Sequence, residues 1–189
     1  MLKPIRRQAI LLTVAVTIWI ADQATKAIVV RNLPVGMPWN PVGFLRPFVN
    51  ITHVANSGAA FGMLPDRGAF FTIVAVVVSG AILYFGRLIP AHQWWLSLSL
   101  GLQLGGALGN LTDRLHYGYV IDFIEVRFFP VFNVADSAIV IGVCILAYHL
   151  WNEEEHQKAA ATEGDDGRSV ARDHPAVPIT SSTSHNDGH

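Results

Sequence analysis

At 189 residues the chain has room for one domain, and 51% apolar against 14% charged residues, with a mean hydropathy of +0.38, exclude an ordinary soluble globular protein. The formal net charge of −1 hides an asymmetry: eight acidic and three basic residues lie from Glu153 onward, six acidic and ten basic before it. The basic excess of the first part is unclustered and gives no basis for nucleic-acid binding. Cys144 is the one cysteine, which excludes an internal disulfide and a multi-cysteine metal site and leaves a packing role in an apolar run.

Lys3, Arg6 and Arg7 precede an apolar stretch that resembles a secretory signal peptide, but no small-x-small cleavage site follows and the run continues through Asp22 and Lys26 to Val30. A retained signal-anchor helix over about 9–30 is expected, with the N-terminus cytoplasmic by the positive-inside rule. Asp22 and Lys26 stand four apart on one helical face and are placed to pair. From Asn32 to Asp66 the chain is too polar to span, and five prolines exclude a long helix. Within it Phe48 to Val54 alternates β-branched and polar residues, which predicts a small β-element on the membrane surface; Asn56 to Gly62, with Gly58 inside it, reads as a turn.

Gly68 to Phe85 is an apolar run of 18 residues, about 27 Å as helix and matched to a hydrocarbon core of roughly 30 Å. With its flank it gives a second span over about 68–86. Trp94 and Trp95 open a third span, about 94–112, in which Gly101, Gly105 and Gly109 recur every four residues and invite close approach of another helix. Asn110 and Arg114 extend a neighbouring face. Asp113, next to Arg114, reads as a helix-end charge. Residues 131–151 form the fourth span, with Asn133 and Asp136 three apart near its start. Four spans return the C-terminus to the cytoplasm. From Glu153 the composition cannot offset chain entropy by apolar burial, which predicts a disordered acidic tail over 153–189 whose four scattered histidines make no metal site.

Ionisable groups at membrane depth are costly and are by default functional. No Gly-x-Ser-x-Gly elbow and no His-Glu-x-x-His is present, so neither a serine hydrolase nor a zinc peptidase has support, and no cofactor is expected. Asp122 and Asp136 remain as a carboxylate pair flanking a short connection. One ionised member could activate water while the other donates a proton. Glu125 is an alternative carboxylate. Proton or ion translocation and simple helix packing stay open from the residues alone, the sharpest rival being a proton-coupled transporter using Asp22 and Asp136 as a relay.

Five stretches occur in order: Asp22-Gln-Ala-Thr-Lys26, Asn56-Ser-Gly-Ala-Ala-Phe61, Gly105-Gly-Ala-Leu-Gly-Asn110 continuing to Asp113-Arg114, Ile121-Asp122-Phe123, and Phe132-Asn-Val-Ala-Asp136. Together they resemble the motif series of the signal peptidase II family, over roughly residues 8–151. The resemblance implies an all-α membrane aspartic endopeptidase of four helices (domain 1–152) with a small extracytoplasmic β-element. It would cleave prolipoproteins just before the diacylglyceryl-modified cysteine. Asp122 and Asp136 match the catalytic dyad, and Asp22, Lys26, Asn56, Gly58, Asn110, Arg114 and Asn133 match substrate-binding or dyad-supporting positions. A monomer in the bacterial inner membrane is expected, both termini cytoplasmic and the site outward, with the Gly-rich surfaces and Phe61 to Leu64 as candidates to cradle lipid and the signal helix. The tail has no counterpart in the family pattern.

Overall fold

The computed structural model describes residues 3–58, 68–89 and 93–172. The chain divides into a compact unit, residues 1–149, and a second, residues 150–189. The first unit is mostly helical with one small sheet. Along the chain the order is α1 (Lys3–Asn32), β1 (Pro38–Trp39), a 3-10 turn (Gly43–Leu45), β2 (Val49–Asn56), α2 (Gly68–Gly86), α3 (Trp94–Tyr117), β3 (Val120–Val126) and α4 (Val134–Arg172).

Among the described residues three stretches are long and apolar enough to be candidate membrane spans: Gln8–Asn32, Gly68–Gly86 and Val134–Glu155. Their outward faces expose large apolar side chains such as Ile20, Ile28, Ile73, Val77, Val140 and Ile141. Contiguous surface of this kind is unfavourable in water and at home in lipid. The expected third span is a helix too, but α3 is not among the three. Its 24 residues include Gln103, Asn110, Asp113 and Arg114, which lower its hydropathy. The reason is its place in the bundle: α3 packs against α1, α2 and α4, and ten of its residues are buried.

Glycine makes that place possible. A Cβ on Gly101 would lie 2.8 Å from the Leu11 carbonyl oxygen, on Gly105 2.6 Å from that of Ala15, and on Gly109 2.5 Å from Asp22 Oδ2. The predicted face therefore meets α1. A second face meets α4, where a Cβ on Gly106 would strike the Ala135 carbonyl and one on Gly142 would lie 2.8 Å from the Ser99 carbonyl. Backbone-to-backbone approach of this kind substitutes for the hydrophobic driving force that helices lack inside lipid. Leu11, Ala15, Ile82, Ile89 and Leu104 form the apolar core.

The sheet is antiparallel in the order β1-β2-β3. The expected β-element is therefore present but larger than Phe48 to Val54, because the connection holding Asp122 is itself strand β3. Ile51 pairs with Ile124 and Val54 with Asp122, so Thr52 and His53 together stand opposite Phe123 in a β-bulge. On β3's other side Phe132 bridges to Ile124: its carbonyl accepts the N–H groups of Phe123 at 3.0 Å and Ile124 at 2.7 Å. The chain thus folds back along β3 just before α4 begins.

In the second unit α4 continues to Arg172, where the composition had predicted disorder from Glu153. Glu153 to Glu155 and Gln157 to Ala161 are good helix formers, so backbone propensity favours continuing the helix. Trp151 Nε1 donates to Glu155 Oε1 at 3.2 Å, one turn on. Residues 173–189 of the predicted tail, and Phe61 to Leu64, expected to cradle lipid, lie outside the described residues; the Asn56 to Gly62 turn is described only to Gly58. Cys144, expected to pack inside, is exposed on the surface of α4.

Candidate active site

Asp122 lies on β3 and Asp136 in the first turn of α4, and Asn133 joins them. Its side-chain Nδ2 is 2.7 Å from Asp122 Oδ1, while its backbone N–H donates to Asp136 Oδ2 at 3.2 Å. The Asn133 side chain in turn accepts the backbone N–H of Asp136 at 2.9 Å. This is a reciprocal capping box with Asp136 at N3, so the three-residue spacing that starts α4 also aims the carboxylate. The positive end of the helix favours an anion there.

Asn56 reaches Asp122 from β2, its Nδ2 2.8 Å from Oδ2. The bulge makes this contact. Because Val54 directly opposes Asp122, Asn56 lies two residues along on the same face, at the diagonal position. The Asn56 Oδ1 accepts the Gly58 N–H at 2.9 Å, closing an Asx turn in which Gly58 has φ +102. Glycine is needed twice there, since a Cβ would also lie 2.8 Å from the Phe71 ring. Glu125, the alternative carboxylate, falls on the opposite face of β3 and accepts from the Thr52 hydroxyl.

Asn110 completes the polar layer from α3, donating to Asp136 Oδ1 at 2.7 Å and accepting from Asn133 Nδ2 at 3.1 Å and Lys26 Nζ at 3.1 Å. An ammonium offers no acceptor, so Lys26 dictates which end of the Asn110 amide faces Asp136. Lys26 forms ion pairs with Asp22 at 2.8 Å and Asp113 at 2.7 Å, and the three side chains are 2%, 0% and 1% exposed. Asp113 is therefore a buried network member and not the helix-end charge its neighbour Arg114 implied. A charge this deep is retained only when paired and hydrogen-bonded. The motif series includes Asp113, but its pairing was not legible from spacing, because Lys26 lies on another helix.

Arg114 donates to the Asn110 carbonyl at 3.5 Å and lies over the Phe71 ring at 5.6 Å, near enough to Asp136, Asp113 and Asp122 to interact electrostatically. Among the described residues it makes no ion pair and stands as a cation beside the carboxylates.

Asp122 is 2% exposed and its carboxyl is pushed up to about 6. Burial is the main cause; the Asp136 charge adds to it, and hydrogen bonds from Asn56 and Asn133 and the Lys26 charge oppose it. Asp136 is only half-buried. Among the described residues no cluster of three His, Cys, Asp or Glu side chains is arranged to hold a metal ion.

Two carboxylates of unequal burial, one on a strand and one in the first turn of a helix, joined through Asn133 and set among amides, are the groups an aspartic hydrolase would need. Residues 14–152 match the family model described as signal peptidase (SPase) II. The lipoprotein signal peptidase of Moorella thermoacetica is 44% identical over 139 residues, 74% of this chain and 91% of that protein. That of Halothermothrix orenii is 38% identical over 143 residues, covering 75% and 95%. A solved structure described as a bacterial membrane enzyme, determined by the in meso method at 2.3 Å, superposes with a TM-score of 0.71 at 33% identity, over 77% of this chain and 90% of that one. The chain belongs to the signal peptidase II family, bacterial membrane proteases of the aspartic type.

Proposed function

We propose that this protein removes the signal peptide from prolipoproteins by hydrolysing the peptide bond just before the diacylglyceryl-modified cysteine, with Asp122 and Asp136 as the catalytic dyad. The observation that carries the reading is the bridge through Asn133, which couples a carboxylate on a strand to one on a helix within a single hydrogen-bonded unit.

Asp122, the more buried member, holds the shared proton. Asp136 takes a proton from water as the water oxygen bonds to the scissile carbonyl carbon, and Asp122 gives its proton to the carbonyl oxygen. Collapse of the tetrahedral gem-diol breaks the C–N bond, with a proton passing from the dyad to the leaving amine nitrogen. Acid and amine products account for every atom of peptide and water. Asn56, Asn110 and Asn133 orient the carboxylates, and the Arg114 charge steadies the developing oxyanion.

Helix α3 also crosses the membrane, as the third of four spans in chain order, packed against the other three. A four-span bundle with Lys3, Arg6 and Arg7 inside leaves both termini cytoplasmic and the sheet and dyad on the outer side. Residues 1–152 are the peptidase domain of a monomer surrounded by lipid; residues 153–189 are a dispensable appendage. A substrate already anchored in the bilayer by its acyl chains then meets the dyad laterally. A relay from Asp22 to Asp136 is disfavoured, because Asp22 is fully buried and its oxygens are taken by Lys26, Gln23 and the Ala135 N–H. Incubation of the purified protein with a diacylglyceryl-modified precursor tests the reading: cleavage before the modified cysteine is expected, and an intact precursor would refute it.

A further inference from the structure

The Lys26 ammonium has three N–H groups and three acceptors: Asp113 Oδ2 at 2.7 Å, Asp22 Oδ2 at 2.8 Å and Asn110 Oδ1 at 3.1 Å. Both carboxylates then reach past it to backbone on other segments. Asp113 Oδ2 accepts the Ile121 N–H at 3.0 Å, and Asp22 Oδ1 accepts the Ala135 N–H at 3.0 Å. Ile121 and Ala135 are the residues immediately before Asp122 and Asp136. Gln23 Nε2 spans the two carboxylates, 3.2 Å from Asp22 Oδ2 and 2.9 Å from Asp113 Oδ1.

We propose that Asp113, Lys26 and Asp22, with Gln23 across them, form a clamp that sets the separation of the two dyad carboxylates, which makes Asp113 and Gln23 positioning residues for hydrolysis. The inference rests on the dyad reading. Its physical basis is that Asp122 and Asp136 ride on separate segments, one strand and one helix, and their carboxylates repel whenever both are ionised. Holding the peptide N–H one residue ahead of each fixes the peptide plane from which each Cα projects. An ion pair that merely joined α1 to α3 would need only Lys26 and Asp113; two further bonds end on the backbone of the dyad segments. Gly109 supplies the room, since a Cβ there would lie 2.5 Å from Asp22 Oδ2.

Two variants of the full chain separate positioning from charge and from folding. Asp113 serves three donors with two oxygens, so Asp113→Asn, with one oxygen and one NH₂, abandons at least one of them. Asp113→Glu keeps the charge but moves the oxygens by a methylene. The assay measures kcat and KM for a synthetic diacylglyceryl-modified precursor peptide from pH 4 to 9, with thermal unfolding in the same detergent and Asp122→Asn in parallel. Both variants are expected to fold and to lose kcat by about 10- to 100-fold, as sub-ångström to 1 Å misplacement does, with KM within about 3-fold of wild type. The two limbs of the pH profile should move toward each other, because carboxylates that part repel less. Wild-type kcat in both variants overturns the clamp. So do limbs that shift together in one direction, which is a charge effect alone, and failure of both variants to fold, which is a purely structural role. Turnover by Asp122→Asn removes the dyad reading and the clamp with it, whereas an inactive Asp122→Asn beside a fully active Asp113→Asn removes the clamp only.

Discussion

The Asn133 side-chain amide donates to Asp122 Oδ1 at 2.7 Å, and its other contacts run to Asn110, the Ile121 carbonyl and the Asp136 N–H. Replacing it with alanine removes a helix cap and strands buried polar groups. Asn133→Ala should lose about 1–3 kcal/mol of stability and a large part of its cleavage rate while retaining measurable turnover, because the backbone N–H still reaches Asp136. Precursor cleavage alongside thermal unfolding measures both. Full wild-type activity would show that the bridge is not used.

Asp122→Asn and Asp136→Asn should each lose cleavage by several orders of magnitude, and the double variant should be little worse, since groups acting as one unit are non-additive. Glu125→Gln should keep substantial activity, because Glu125 lies on the other face of β3, against Thr52. An inactive but folded Glu125→Gln beside an active Asp122→Asn would assign the chemistry to Glu125 instead of Asp122.

The raised Asp122 value fixes the sign of a stability effect. A carboxyl at about 6 in the fold and 3.8 unfolded binds more proton in the native state between those values, so its contribution is fully present below pH 4. That contribution is lost as pH rises through 6, a change of about 3 kcal/mol at 1.36 kcal/mol per unit. Asp122→Asn lacks this loss. Its melting temperature relative to wild type should therefore climb between pH 4 and pH 7 and level off above. A difference that stays flat across that range would contradict the buried carboxyl.

The glycine seam predicts a cost unrelated to chemistry. Gly105→Ala puts a Cβ 2.6 Å from the Ala15 carbonyl oxygen, a backbone contact that cannot rotate away, and should destabilise by about 1–3 kcal/mol. Gly80→Ala, where a Cβ meets nothing within 4 Å, is the control. Equal melting temperatures for the two would show that α1 and α3 do not require close approach.

For topology, Ser57→Cys and Ser169→Cys in a Cys144→Ala background should label from opposite sides of the membrane with an impermeant thiol reagent. Truncation after Gln157 should leave insertion and precursor cleavage intact. Labelling of both cysteines from one side would require a different number of crossings.

The sequence by itself determined what local spacing controls. Apolar runs of sufficient length marked the helices, the four-residue spacing of Asp22 and Lys26 made their pair, and the three-residue spacing of Asn133 and Asp136 made the capping box, because such intervals put side chains together in any helix. The motif series singled out both candidate catalytic aspartates. What separate elements do to one another was not readable. Strand β3 was missed because alternation around Ile121 to Ile124 is too short to distinguish strand from connection. The bulge at Thr52 and His53, which turns Asn56 toward Asp122 and Thr52 toward Glu125, depends on pairing across strands. Asp113 looked like a solvated helix end until α1 brought Lys26 beside it. The polar residues of α3 masked how enclosed that helix is, since hydropathy records what a side chain prefers and only packing decides whether the site around it is lipid or the charged interior of the bundle.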